Sequence, residues 1–84
     1  MRMSELDRLK NAFVTALGIS PGSDFAALEY AQTEGWDSVA HMQLVAALEA
    51  AYGIMIDTDD VIAMSDYSEI RRILGRSYGV ELAT

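Results

Sequence analysis

Cysteine is absent from the 84 residues, so no disulfide staples the chain and no thiolate holds a metal. That fits a reducing cytoplasm. Histidine occurs once, which would leave any metal site to rest mostly on carboxylates. Basic side chains number 6 against 13 acidic ones, a formal charge of −7. A duplex phosphate backbone would repel such a chain, so nucleic acid is not an expected partner, whereas proteins with basic surfaces would be steered toward it. No apolar run approaches the roughly 20 residues that cross a bilayer. The segment Met1-Arg2-Met3-Ser4-Glu5 lacks the apolar stretch of a signal peptide. A cytoplasmic location without membrane association is therefore the expectation.

What is present points to a small core. Hydrophobic residues make up 51% of the chain, and one Trp, four Tyr and two Phe are among them, which is incompatible with a disordered acidic tail. A chain this short reads as one domain, residues 1–84, and buries only about 60% of the surface that its unfolded form exposes. There is no internal repeat and no low-complexity segment.

Helical periodicity organises the chain. Leu6, Leu9, Phe13 and Leu17 recur at helical spacing. Ser4 reads as the N-cap of that helix, Asp7 sits in its first turn, and Gly18 stops it. Ile19-Ser20-Pro21-Gly22-Ser23, with the only proline, reads as a turn. From Asp24 to Thr33 the pattern is ambiguous; Phe25 and Leu28 can pack under a loop. A second helix is expected over 38–52, capped by Asp37 or Ser38 and ended by Gly53. Its inward set reads as Met42, Val45, Leu48 and Tyr52, with Leu44 beside them. A short third helix over 58–64 would hold Val61 and Ile62 against the rest. A last helix over 66–76 opens on Asp66 and Glu69, a capping-box pattern, with Ile70, Ile73 and Leu74 as its apolar stripe. Arg71, Arg72 and Arg76 lie toward its C-terminal end, where the dipole favours cations. Met42, Met55 and Met64 read as core, because methionine fills irregular gaps. The fold class is all-α: a small four-helix bundle with three longer helices, a short third one, and a long loop between the first two.

Chemistry concentrates at Gly35-Trp36-Asp37-Ser38-Val39. A serine at a helix start, after a glycine-containing loop, is open to approach, and its hydroxyl can receive a phosphate ester. Free backbone N–H groups and the positive end of the helix dipole stabilise an anion there. By residues alone, Asp37-Ser38 is first of all an N-cap pair. His41 lies three residues after Ser38, so the two can share a helix face. A hydrolytic Ser–His pair would still lack a Gly-x-Ser-x-Gly elbow and an orienting acid. His41 reads instead as a surface or partner-contact residue. Asp57, Asp59 and Asp60 invite a calcium loop, but such a loop needs glycine at 62 and glutamate at 68, where the chain has Ile62 and Ser68. No metal site is expected.

From Gly35 onward the sequence resembles the acyl carrier protein family. The resemblance runs through Gly-x-Asp-Ser-Val at 35–39, Leu44-Val45-Ala46-Ala47-Leu48-Glu49, Tyr52-Gly53-Ile54, Ile56, the acidic loop at 57–60, and Asp66 through Ile70. It covers about residues 35–74. It implies a non-catalytic carrier in a four-helix bundle, with Ser38 esterified by 4′-phosphopantetheine from coenzyme A and Asp37 as the adjacent motif residue. The arm would hold an acyl or aminoacyl group as a thioester. Partners would be a phosphopantetheinyl transferase, a loading ligase and acyl-transferring enzymes, and nothing requires more than a monomer. The docking face would comprise Val39, Gln43, Ala46 and Glu49, extended by Met64 and Tyr67. An adaptor bundle that binds a partner helix without a prosthetic group is the alternative reading.

Two features depart from that family. Carriers that serve fatty acid synthases usually bear several acids on the outer face of the second helix. Here the outward positions read as Ala40, Gln43, Ala46 and Ala50, with only Glu49 acidic, which suggests a dedicated partner in a specialised pathway. Trp36 stands where many relatives have a small or aliphatic residue, and it reads as packing between helices.

Overall fold

The computed structural model describes residues 4–82. Four helices follow in order: α1 (Glu5–Leu17), α2 (Ser38–Tyr52), α3 (Thr58–Ala63) and α4 (Tyr67–Tyr78), with a single 3₁₀ turn at Phe25–Ala27 in the long connection after α1. This is the expected all-α bundle with a short third helix. Among the described residues the nearest thing to a strand is one isolated bridge, Glu29 with Asp66.

The caps follow the sequence signals. The Ser4 hydroxyl accepts from the Asp7 amide at 3.0 Å, and the Asp37 carboxylate from the Ala40 amide at 2.9 Å. Asp66 accepts from the Glu69 amide at 2.7 Å. Glu69 does not complete the capping box, because its carboxylate takes two bonds from Arg72, at 3.1 and 2.6 Å. Those bonds hold the Glu69 carboxyl below its ordinary range. Gly18 and Gly53 close α1 and α2 in the left-handed region, at φ 67° and 64°. Side chains pay a steric penalty there that glycine escapes.

Leu9, Phe13, Leu44, Leu48, Ile70, Ile73 and Leu74 are fully buried at the centre. Phe25 and Leu28 pack beneath the long loop as expected. Six assignments change, those of His41 and Tyr67 among them, since both are buried. Met42 is 58% exposed, Met55 86% and Ile62 76%, whereas Ala40 is buried. The inward face of α2 is Ala40, His41, Leu44, Val45 and Leu48. The reason lies in its composition: Ser-Val-Ala-His-Met-Gln-Leu-Val-Ala-Ala-Leu-Glu-Ala-Ala-Tyr is apolar nearly all round, so periodicity gives weak direction and packing partners decide. In α3 no residue is buried, so Ile62 projects outward.

α3 is tied down by polar groups. The Tyr78 hydroxyl accepts from the Asp57 amide at 2.8 Å and donates to Asp60 at 2.6 Å, and this bond to Asp60 raises the Tyr78 phenol above its ordinary range. The Glu49 carboxylate accepts from the Ile56 amide at 2.9 Å.

Tyr52 joins the end of α2 to the start of α1 by donating to the Glu5 carbonyl at 2.6 Å. Burial first, and then the Glu5 charge, push its phenol from 10.0 to about 12. The folded state thus keeps a proton that the unfolded chain releases near 10.0, so this contribution is complete below pH 10.0 and is lost as pH rises to about 12. Urea unfolding of the wild type should show stability falling across that interval. Tyr52→Phe should be less stable at neutral pH and decline less steeply; an identical slope would remove Tyr52 as a cause.

Candidate functional site

The loop before α2 is built to present its first turn. The Glu29 carbonyl accepts from Gln32 and Thr33, and the Thr33 carbonyl from Trp36. The Tyr30 amide donates to the Ser65 carbonyl at 2.8 Å, which pins the loop to the segment between α3 and α4. Gly35 sits at φ +88°, and a Cβ there would meet the Leu17 carbonyl at 3.3 Å, so the turn that delivers Trp36 and Asp37 needs glycine.

Ser38 is the first residue of α2 and is exposed, as are Asp37 and Val39. With Asp37 spent on the Ala40 amide, Ser38 is free of the capping role. Its hydroxyl lies at a helix N-terminus, where backbone N–H groups and the dipole favour a phosphate ester. A shallow apolar surface of Val39, Met42, Gln43 and Ala46 extends from Ser38 on one side. On the other, a cleft of about 290 Å³ separates α2 from α3, lined by Tyr30, Ser38, His41, Met42, Val61, Ile62, Met64 and Ser65.

His41 is a buried hub and not the surface residue expected. The Trp36 indole N–H donates to its Nδ1 at 3.0 Å, and its Nε2 faces the Val61 carbonyl at 2.9 Å. An indole nitrogen only donates and a carbonyl only accepts, so the imidazole is neutral with its hydrogen on Nε2. Val61 contributes one of the last four carbonyls of α3, which have no partner within the helix. Both ring nitrogens are thereby engaged, and neither can take a proton from Ser38. A Ser38–His41 hydrolytic pair is ruled out on that ground. Trp36, at 1% exposure, is the packing residue expected.

Of the expected docking residues, Val39, Gln43 and Ala46 share the exposed side of α2 beside Ser38. Glu49 is half-buried and tied to the Ile56 amide. Met64 and Tyr67 do not extend the face: Met64 is 1% exposed and Tyr67 is buried against Phe13 and Phe25. Met64 ends the outward-facing α3, where the chain turns back into the core, a reversal that periodicity across a six-residue helix could not reveal; Tyr67 opens α4 three and seven residues before Ile70 and Leu74, on the core face of that helix. Met42 and Ile62 take their place beside Ser38. The role of His41 had a readable signal: it stands three, four and seven residues before Leu44, Val45 and Leu48, on the core face of α2. Among the described residues no group of three His, Cys, Asp or Glu side chains could hold a metal.

The structure thus sets an exposed serine on the first turn of a helix in a small capped bundle. The family model for the phosphopantetheine attachment site matches residues 7–76, most of the chain, and the protein belongs to that family. Its members carry 4′-phosphopantetheine covalently and form a non-catalytic carrier family. No curated protein and no solved structure matches the chain. The residues present fit the group, since an exposed hydroxyl stands at a helix N-terminus with open surface on both sides.

Asp37→Ala should remove the α2 cap and cost about 0.5–2 kcal/mol in urea unfolding, while Asp37→Asn should recover most of it. Equal stability of Asp37→Ala and wild type would show that the cap contributes nothing.

Proposed function

We propose that the protein is an acyl or aminoacyl carrier that acts as a single domain in a specialised biosynthetic pathway, with Ser38 as its attachment point. The observation that carries the proposal is the exposed Ser38 hydroxyl on the first turn of α2, beside an aspartate already spent on the cap, within a chain of the phosphopantetheine attachment family. In the loading step the Ser38 oxygen forms an ester bond to phosphorus, the pyrophosphate link of coenzyme A breaks, and adenosine bisphosphate leaves. The hydroxyl proton passes to a base of the transferase, because His41 has no lone pair to offer. The attached arm supplies a terminal thiol for thioester chemistry; this chain supplies attachment and recognition.

Partner choice follows from the surface around Ser38. Val39, Met42 and Ile62 are exposed apolar residues, Gln43, Ala46 and Ala50 are exposed and uncharged, and Glu49 is half-buried on an internal bond. Fatty acid synthase enzymes of the usual type present basic patches, and this face offers few acids to pair with them. A dedicated partner with an apolar contact surface, and a cytoplasmic setting, suit it better. No helix among the described residues is long and apolar enough to cross a membrane.

Incubation with coenzyme A and a broad-specificity phosphopantetheinyl transferase should add the mass of one arm. Ser38→Ala should abolish that gain with helical circular dichroism nearly unchanged. Persistent labelling of the variant would refute Ser38, and no labelling of the wild type would favour the adaptor reading.

The loaded carrier should be a poor substrate for a fatty acid synthase condensing enzyme. Gln43→Glu with Ala50→Glu should speed acyl transfer, chiefly through association, with a gain that shrinks as salt is added. Transfer by the unaltered protein as fast as by a fatty acid synthase carrier would sink the specialised reading.

A further inference from the structure

The cleft beside Ser38 is lined by the rings of Tyr30 and His41, with Trp36 and Phe13 behind them. Tyr30 meets His41 with ring centroids 5.1 Å apart, His41 stacks on Trp36 at 6.0 Å, and Trp36 meets Phe13 edge-on at 5.4 Å. This row of rings leads from the cleft to the centre of the core, where Phe13 is fully buried. The Trp36–His41–Val61 hydrogen bonds fix its middle and pin α3 at the same time. A group entering from Ser38 therefore meets a wall, and passing it would break two hydrogen bonds and leave an indole N–H and a carbonyl unpaired.

The lining also sorts by charge. Met42, Val61, Ile62 and Met64 are apolar, Tyr30 presents its ring, and the His41 nitrogens are engaged. No charged side chain lines the cleft. A carboxylate or ammonium placed there would lose water without gaining a counter-charge. The cleft is small, about 290 Å³, and the row of rings bounds its inner side.

We infer that this carrier is specific for short, uncharged acyl groups, and that the Trp36–His41–Val61 relay is the specificity determinant that limits their length. The inference rests on Ser38 being the attachment point. His41 is here a positioning residue, acting through the wall it holds in place.

The test loads the full chain from acetyl-, butyryl-, hexanoyl-, octanoyl-, palmitoyl-, malonyl- and glycyl-coenzyme A with a broad-specificity transferase and confirms each product by intact mass. Thioester cleavage by hydroxylamine is then timed, and emission of the sole tryptophan, Trp36, reports on the row of rings. Hexanoyl should be cleaved about tenfold to about 200-fold more slowly than acetyl, the upper end corresponding to complete burial of its four extra methylenes. Palmitoyl should gain nothing beyond octanoyl, Trp36 emission should stay constant through the series, and malonyl and glycyl should be cleaved on the carrier as fast as in their own coenzyme A thioesters. Protection that keeps rising to palmitoyl with a shift in Trp36 emission would overturn the length limit. Malonyl or glycyl protected as well as hexanoyl would overturn the charge limit. His41→Ala should extend protection to palmitoyl, while His41→Gln, whose amide can accept from Trp36 and donate to Val61, should keep the wild-type plateau. A plateau unchanged in a folded His41→Ala would remove the relay as determinant; if that variant does not fold, the wild-type series decides the length limit and His41→Gln the relay. Failure of every loading would overturn the Ser38 reading and this inference with it, whereas successful loading without the plateau would overturn this inference alone.

Discussion

His41 holds the region around Ser38 together because a neutral imidazole has one acceptor and one donor, and both are used. Trp36 comes from the loop before α2 and Val61 from α3, so two hydrogen bonds on one ring join three separate parts of the chain. Either bond alone would leave a buried polar group on the other side without a partner, which costs more than a typical hydrogen bond gains. The position of Trp36, the depth of the cleft and the placement of α3 are thus set by the same ring.

α3 shows why such polar ties matter. A six-residue helix with no buried residue gains little from packing and forms with difficulty on its own. Its orphan groups are met from outside: the Tyr78 hydroxyl at its start, the His41 ring at its end, and the Glu49 bond on the segment leading into it. This leaves Ile62 free to face solvent beside Ser38, and it removes Glu49 from the set of acids available to a partner. The same economy produces a surface near Ser38 that is apolar at close range on a protein whose formal charge is −7. Long-range attraction to a basic partner and short-range contact with an apolar one are therefore separate properties here.

Much of the fold was legible in the chain itself. Ser4, Asp37 and Asp66 cap their helices through local bonds spanning three residues, and Gly18 and Gly53 end theirs through a backbone conformation that glycine alone adopts cheaply. Such signals need nothing from elsewhere in the molecule. α1 and α4 carry clear apolar stripes, and Leu9, Phe13 and Leu17, like Ile70, Ile73 and Leu74, are buried where the 3.6-residue period placed them. The exposed serine at the start of α2 followed from the cap beside it.

What the sequence by itself determined, then, is the number of helices and where each starts, the bundle class and the place of Ser38, because each depends on neighbours within a few positions; the last helix runs two residues past the expected 76, to Tyr78, before Gly79 closes it. Tertiary structure alone decided which face of α2 turns inward, since that helix is apolar nearly all round and Leu44 and His41 prevail over Met42 only through their partners. It decided that Met42 and Ile62 are surface and that Met64, read both as core and as part of the docking face, is core only, because α3 hangs on bonds from residues as distant as Tyr78 and His41. It decided the state of His41 as well: a ring whose tautomer depends on an indole five residues away and a carbonyl twenty residues away cannot be read from any local window.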